Sequence, residues 1–291
     1  MNMTEKRTPI LKMQDITKEF SGVYALSGIT LDLYPSEVHC LVGENGAGKS
    51  TMMKILSGAY TPSGGSIFMD GQTYKTLNPV LSKELGINIV YQENDLVPSM
   101  NVAENIYVGN EKTNFLGFVD FKTMVSETTR QMEELNIEID PLVKIEDLSV
   151  SDQQFVKILK ALSVEPRILI MDEPTSMFNV EDASKVLELV RTIAAKGIGI
   201  IYISHFLEEI RQIADRVTVI RDGAVINTYE NPNRDIKIST MTRDMVGRPV
   251  DTFYQKEHHP IGDVMLEIRE LQIAKNSPKI SFSVRRGEIL G

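Results

Sequence analysis

The chain has 291 residues, 42% hydrophobic and 24% charged, enough to bury a large core in one big domain or two small ones. Its net charge of -9 argues against a general nucleic-acid binder, because phosphate backbones attract Lys/Arg surfaces and repel a net anion at long range. No run approaches the roughly 18 to 20 apolar residues of a membrane-spanning helix, and Met1–Pro9 lacks the apolar centre of a signal peptide, so any membrane role is expected to come through a partner.

The first apolar run of strand length is Val38–Val42. Within it, Cys40 is the single cysteine of the chain, so no internal disulfide forms; it reads as a small buried residue in a reducing cytoplasm. The strand leads into Gly43-Glu44-Asn45-Gly46-Ala47-Gly48-Lys49-Ser50-Thr51, and a helical run follows at Met52–Leu56. This is the strand-loop-helix setting that the GxxxxGK[ST] pattern requires. Glycines let backbone N–H groups converge on a phosphate, the helix N-terminus adds partial positive charge, and the Lys49 ammonium reaches the terminal phosphates. Ser50 is expected to offer its hydroxyl to Mg²⁺.

Further apolar runs at Ile87–Tyr91, Ile168–Met171 and Ile198–Ile203 give the rhythm of a doubly covered parallel sheet. The run from Arg167 ends in two adjacent carboxylates, Asp172 and Glu173, before Pro174-Thr175. Side chains alternate along an extended strand, so the two acids are expected to take separate tasks, Asp172 in a metal shell and Glu173 polarising an attacking water. A solvated acidic turn is the alternative for this segment taken alone. Val180–Ala195 reads as a helix with Val186, Leu189, Val190 and Ile193 on one face, Glu181 and Asp182 in its first turn and Asn179 as cap. Val217–Ile220 and Ala224–Ile226 flank Arg221-Asp222-Gly223, an expected hairpin. The polar stretch around 240–259, with Pro249 and Pro260, reads as a domain end followed by a linker.

Ile280–Gly291 overlays Ile29–Cys40 without a gap. In the first copy the phosphate loop begins just after Cys40, so the second copy stops where its own loop would start. The expectation is a tandem protein.

These residues resemble the ABC ATPase family. The resemblance implies an α/β fold, a P-loop NTPase domain with a mainly parallel core sheet, an antiparallel β subdomain and a helical signature subdomain at about 95–165. It places the nucleotide-binding domain at 1–248, a linker at 249–263 and the start of a second such domain at 264–291. By the same resemblance Gln92, in Val90-Tyr91-Gln92-Glu93, links metal and water to the helical subdomain, and His205 is the switch histidine that contacts the γ-phosphate. Glu173, His205 and Gln92 are then the catalytic candidates. Phe20, or in second place Tyr24, would stack on adenine, with the loop from Gly43 to Thr51 gripping the phosphates of ATP. Ser50, Gln92 and Asp172 would hold Mg²⁺.

The details look like the tandem ATPases of carbohydrate importers of the ribose, galactose and xylose type, as in Ser21-Gly22-Val23-Tyr24-Ala25-Leu26, Ile203-Ser204-His205-Phe206-Leu207-Glu208-Glu209-Ile210 and Met245-Val246-Gly247-Arg248. That implies two permease subunits, a solute-binding protein, a second ABC domain in the same chain, no nucleic acid, and a place on the cytoplasmic face of the cell membrane. Glu93–Met100 is the expected surface that passes motion to the permease. The signature segment Leu148–Gln154 departs from LSVGQQQ, with Ser151 for glycine and Asp152 for glutamine. Ser149 and Ser151 belong to the loop that caps the γ-phosphate of the opposite domain, where an added carboxylate is unfavourable. Ser176-Met177-Phe178-Asn179 departs likewise from SALD or SALT. Unequal ATP sites are the expectation. Two other readings remain: a soluble tandem ATPase of translation or repair, and a regulatory module that binds ATP without productive hydrolysis.

Overall fold

β1 (Leu11–Phe20) and β2 (Val23–Leu33) form a hairpin that leads to β3 (Val38–Val42), buried along its whole length. The structure, a computed structural model, describes residues 8–92, 95–247, 261–272 and 277–290, and the chain divides into two units, Met1–Arg248 and Pro249–Gly291. In the first unit α1 (Lys49–Leu56), β4 (Gly64–Met69), β5 (Gln72–Tyr74), α2 (Pro79–Glu84) and β6 (Ile87–Val90) come next. A helical stretch follows, with α3 (Val102–Tyr107), α4 (Phe121–Glu134) and α5 (Val150–Leu162). The chain returns as β7 (Ile168–Asp172), α6 (Val180–Ala195), β8 (Gly199–Ile203), α7 (Leu207–Ile213), β9 (Arg216–Arg221), β10 (Ala224–Glu230) and α8 (Ile238–Val246).

The core sheet has the order β10-β9-β3-β8-β7-β6, parallel throughout except for β10, which pairs with β9 antiparallel. A smaller antiparallel sheet has the order β2-β1-β4-β5. Parallel strands covered on both faces must be apolar on both, and alternation splits them between two cores. Cys40, Leu169, Met171 and Tyr202 pack on the side of α5 and α6, whereas Leu41, Ile170, Ile201 and Ile203 pack with β1, β2 and α1. This is the α/β architecture that the motifs imply.

The helix Val180–Ala195 has the bounds its periodicity predicts, and the Asn179 carboxamide oxygen accepts from the Asp182 N–H at 2.9 Å. Elsewhere the edges shift: Tyr91 falls beyond β6 and Ile198 precedes β8. The polar stretch from residue 240 is a helix as far as Val246, because fully buried Met241 anchors it and Gly247, at φ 75°, ends it. Of the expected linker at 249–263, residues 249–260 lie outside the described residues.

The second unit contains β11 (Val264–Leu271) and β12 (Ile280–Arg285). Here Leu266, Glu267, Ile268 and Leu271 face Val284, Ser283, Phe282 and Ile280. In the first unit Leu11, Lys12, Met13 and Ile16 face Leu33, Asp32, Leu31 and Ile29 in the same order. The irregularities repeat as well. Asp15 and Glu270 both have φ 52°, and their N–H groups donate to Thr30 Oγ1 (3.1 Å) and Ser281 Oγ (2.8 Å). The Tyr34 N–H meets Glu37 Oε2 at 2.7 Å as the Arg285 N–H meets Glu288 Oε2 at 2.8 Å. The two hairpins are thus one local structure written twice. The last residue of the sequence overlay, Gly291, lies outside the described residues.

Candidate functional site

The glycines of the loop after β3 answer to sterics. A Cβ on Gly43 would lie 2.3 Å from the carbonyl oxygen of Ile220, and one on Gly48, at φ 109°, would lie 2.7 Å from Leu26 and 2.8 Å from the Ala25 carbonyl oxygen. The loop therefore packs directly on β2 and the end of β9, and Gly48 opens α1 with its backbone N–H groups free for an anion. The Ala47 carbonyl oxygen accepts from the Gly223 N–H at 3.1 Å, which ties the Asp222-Gly223 turn to the loop.

Asn45, Gly46, Gly48, Lys49, Ser50 and Thr51 line a cleft of about 200 Å³ together with Gln92, Asp172 and Glu173. Lys49 Nζ donates to the carbonyl oxygens of Gly43 (2.7 Å) and Glu44 (3.0 Å). Burial lowers its pKa, while the Glu173 and Asp172 carboxylates act in the opposite sense. Burial also raises the pKa of Asp172, Glu173 adding to the rise and Lys49 opposing it. A site with one ammonium, desolvated carboxylates, a hydroxyl and converging N–H groups fits a phosphate chain with its divalent cation.

The two acids do not alternate as neighbours on a strand. Asp172 ends β7, but Glu173 takes φ 47°, an uncommon conformation for a residue with a side chain, and both acids line the same cleft. Glu173 Oε2 accepts from Gln92 Nε2 at 3.2 Å, and Oε1 lies 3.2 Å from His205 Nδ1. Sequence reading missed the group beneath them. Glu209 Oε2 accepts from Thr175 Oγ1 (2.8 Å), Tyr202 OH (3.0 Å) and Ser204 Oγ (3.1 Å). Its only sequence signal was an acid in the first turn of α7.

Other predicted residues lie apart from the cleft lining. Phe20 is 41% exposed and packs edge-on against Tyr60 with 5.4 Å between ring centroids; Lys18 Nζ stands 4.8 Å from the Phe20 ring. Tyr60 is the partner that sequence reading did not find, and Tyr24 is exposed. On α5, Ser149 Oγ accepts from the Asp152 N–H (3.1 Å) and donates to Asp152 Oδ2 (2.7 Å), while Ser151 Oγ donates to Asp182 Oδ2 at 2.9 Å. Both hydroxyls of the signature segment are thus engaged within the domain. Glu93 lies outside the described residues, but the chain from Val97 to Asn101 is held by fully buried Asn105, whose side chain bonds Val97 N–H and the carbonyl oxygens of Val97, Met100 and Asn101.

Residues 26–176 match the sequence family described as ABC transporter. A ribose import ATP-binding protein of Rubrobacter xylanophilus is 42% identical over 97% of this chain and 56% of its own length. A putative ribose/galactose/methyl galactoside import ATP-binding protein of Geobacillus kaustophilus is 43% identical with the same coverage, 97% and 56%. The chain therefore spans about half the length of these curated relatives. The ADP conformation of an ATP-binding cassette of an ABC transporter superposes with a TM-score of 0.72 at 22% identity, over 86% of this chain and all of the other.

Proposed function

The chain belongs to the ABC transporter family, and on that premise we propose that it binds Mg-ATP at Lys49 and hydrolyses it to power import of a sugar or related small polar solute through a membrane permease. The observation that carries this reading is the convergence of Lys49, Ser50, Gln92, Asp172 and Glu173 on one cleft. The loop from Gly43 to Thr51 holds the phosphates, with Lys49 leaving the Gly43 and Glu44 carbonyls to meet them. Glu173 orients and deprotonates the attacking water, its carboxylate steered by Gln92 and His205. Ser50, Gln92 and Asp172 hold magnesium, which when bound neutralises charge on the phosphate oxygens. Phe20, braced by Tyr60, supplies a face for adenine.

The relatives' names support a sugar as cargo and a membrane permease as partner, and their greater length supports a second ABC domain at 264–291 and beyond. In this reading the permease has two subunits, a solute-binding protein delivers the cargo to it, and this chain sits at the cytoplasmic face of the membrane. The in-register repeat of the hairpin supports the same second domain. Attachment to the membrane runs through the permease, with 93–100 as the contact surface; among the described residues no helix is long and apolar enough to cross a membrane. The two ATP sites are unequal: the Ser149 hydroxyl, which would cap a phosphate on the opposite domain, is already committed to Asp152. The test is reconstitution of the full-length chain with the permease in vesicles. Sugar-loaded binding protein should stimulate ATP turnover, and Glu173→Gln should abolish most of it; turnover that survives that substitution nearly unchanged contradicts both the mechanism and the asymmetry.

A further inference from the structure

Glu173 and His205 reach each other from loops that follow different strands; the Glu173 N–H donates to the Ile203 carbonyl oxygen at 2.9 Å, which ties the backbones where the strands end, and the two side chains meet beyond that bond. Glu173 leaves β7 at φ 47°, and His205 leaves β8 with its side chain 52% exposed. Two residues beyond Glu173, Thr175 is 1% exposed; one before His205, Ser204 is 2% exposed. The hydroxyls of both end on the same oxygen, Oε2 of Glu209. The third donor, Tyr202 OH, comes from inside β8 and is fully buried, so the carboxylate is referenced to the core sheet. Ser204 Oγ also accepts from the Phe206 N–H at 3.0 Å, fixing the backbone on the far side of His205.

An acid in the first turn of a helix ordinarily faces solvent and complements the helix dipole. Glu209 instead turns inward to three hydroxyl donors, a charge-assisted arrangement that is strong and directional. We propose that Glu209 is a positioning residue that clamps the loop after β7 to the loop after β8 and thereby sets the Glu173–His205 contact. The inference rests on the proposed ATP hydrolysis at Glu173.

The clamp predicts a specific kinetic signature in the full-length chain. The phosphate grip belongs to a separate loop, so loosening the clamp lowers turnover and spares nucleotide affinity. Glu209→Ala should reduce kcat for ATP at least tenfold with half-saturation and equilibrium Mg-ATP binding within twofold of the parent. Thr175→Val and Ser204→Ala, which delete one arm each, should lower kcat by smaller factors. Combined with Glu209→Ala they should add little, because the arms act through one oxygen. Glu209→Gln, which keeps an acceptor oxygen, should recover part of the loss. Retention of more than half the parent kcat by Glu209→Ala overturns the clamp, as does an equal loss of turnover and Mg-ATP binding, the mark of a general brace. A parent chain that does not bind Mg-ATP at all sinks the hydrolysis reading itself, an outcome distinct from either.

Discussion

His205 Nδ1 lies 3.2 Å from Glu173 Oε1, although the two residues leave different strands of the core sheet. Gln92 holds the other carboxylate oxygen, so Glu173 is oriented from two sides. On the proposed mechanism this acid acts only in the chemical step. Glu173→Gln should cut ATP turnover by about 100-fold or more, about 2.7 kcal/mol of barrier, while leaving Mg-ATP affinity near that of the parent. Steady-state hydrolysis and equilibrium binding on the same preparation decide it; a loss of binding in step with turnover contradicts the assignment.

The loop glycines should rank by their surroundings. Gly48→Ala meets both a positive φ and close approach to Leu26 and Ala25, and it should cost about 2 to 4 kcal/mol. Gly46 is also at positive φ, 83°, but a Cβ there meets nothing within 4 Å, so Gly46→Ala should cost only about 1 kcal/mol. Denaturant unfolding of the two variants measures the order, and equal penalties contradict the packing described.

Glu37, just before β3, and Arg216, the first residue of β9, form an ion pair with side chains 5% and 13% exposed. Arg216→Met strands the carboxylate and should cost about 3 to 5 kcal/mol near neutral pH. Burial already raises the pKa of Glu37 and Arg216 pulls it back, so the variant raises it further. A folded state that keeps a proton which the unfolded chain has lost loses stability as pH rises. The penalty should therefore grow between about pH 5 and pH 8, and urea melts at both ends test this; a pH-independent penalty contradicts it.

Much of this was legible in the chain itself, for local reasons. β3 and α6 follow from a short run that is apolar but for His39 and from a 3.6-residue period behind Asn179, signals that need no distant partner. The cleft was legible because the glycine loop and the Asp172-Glu173 pair carry their chemistry in short motifs. What escaped depends on contacts across the fold. Glu173 leaves the strand at a left-handed φ that strand alternation does not foresee. Tyr60 meets Phe20, and Ser151 meets Asp182, only after the chain has closed on itself. The helix Ile238–Val246 at the domain end gave no periodic signal because its buried side, Met241 and Asp244, is too short to stand out from the polar residues around it.

The most direct measurement is calorimetric titration of Mg-ATP into the chain and into its Lys49→Ala variant, whose lost contacts are two carbonyl oxygens of its own loop. The account predicts a Kd below about 1 mM for the parent and a loss of at least about 100-fold, about 2.7 kcal/mol, in the variant, with both proteins equally folded. Parent protein that ignores Mg-ATP, or a variant that binds it as tightly, would contradict it.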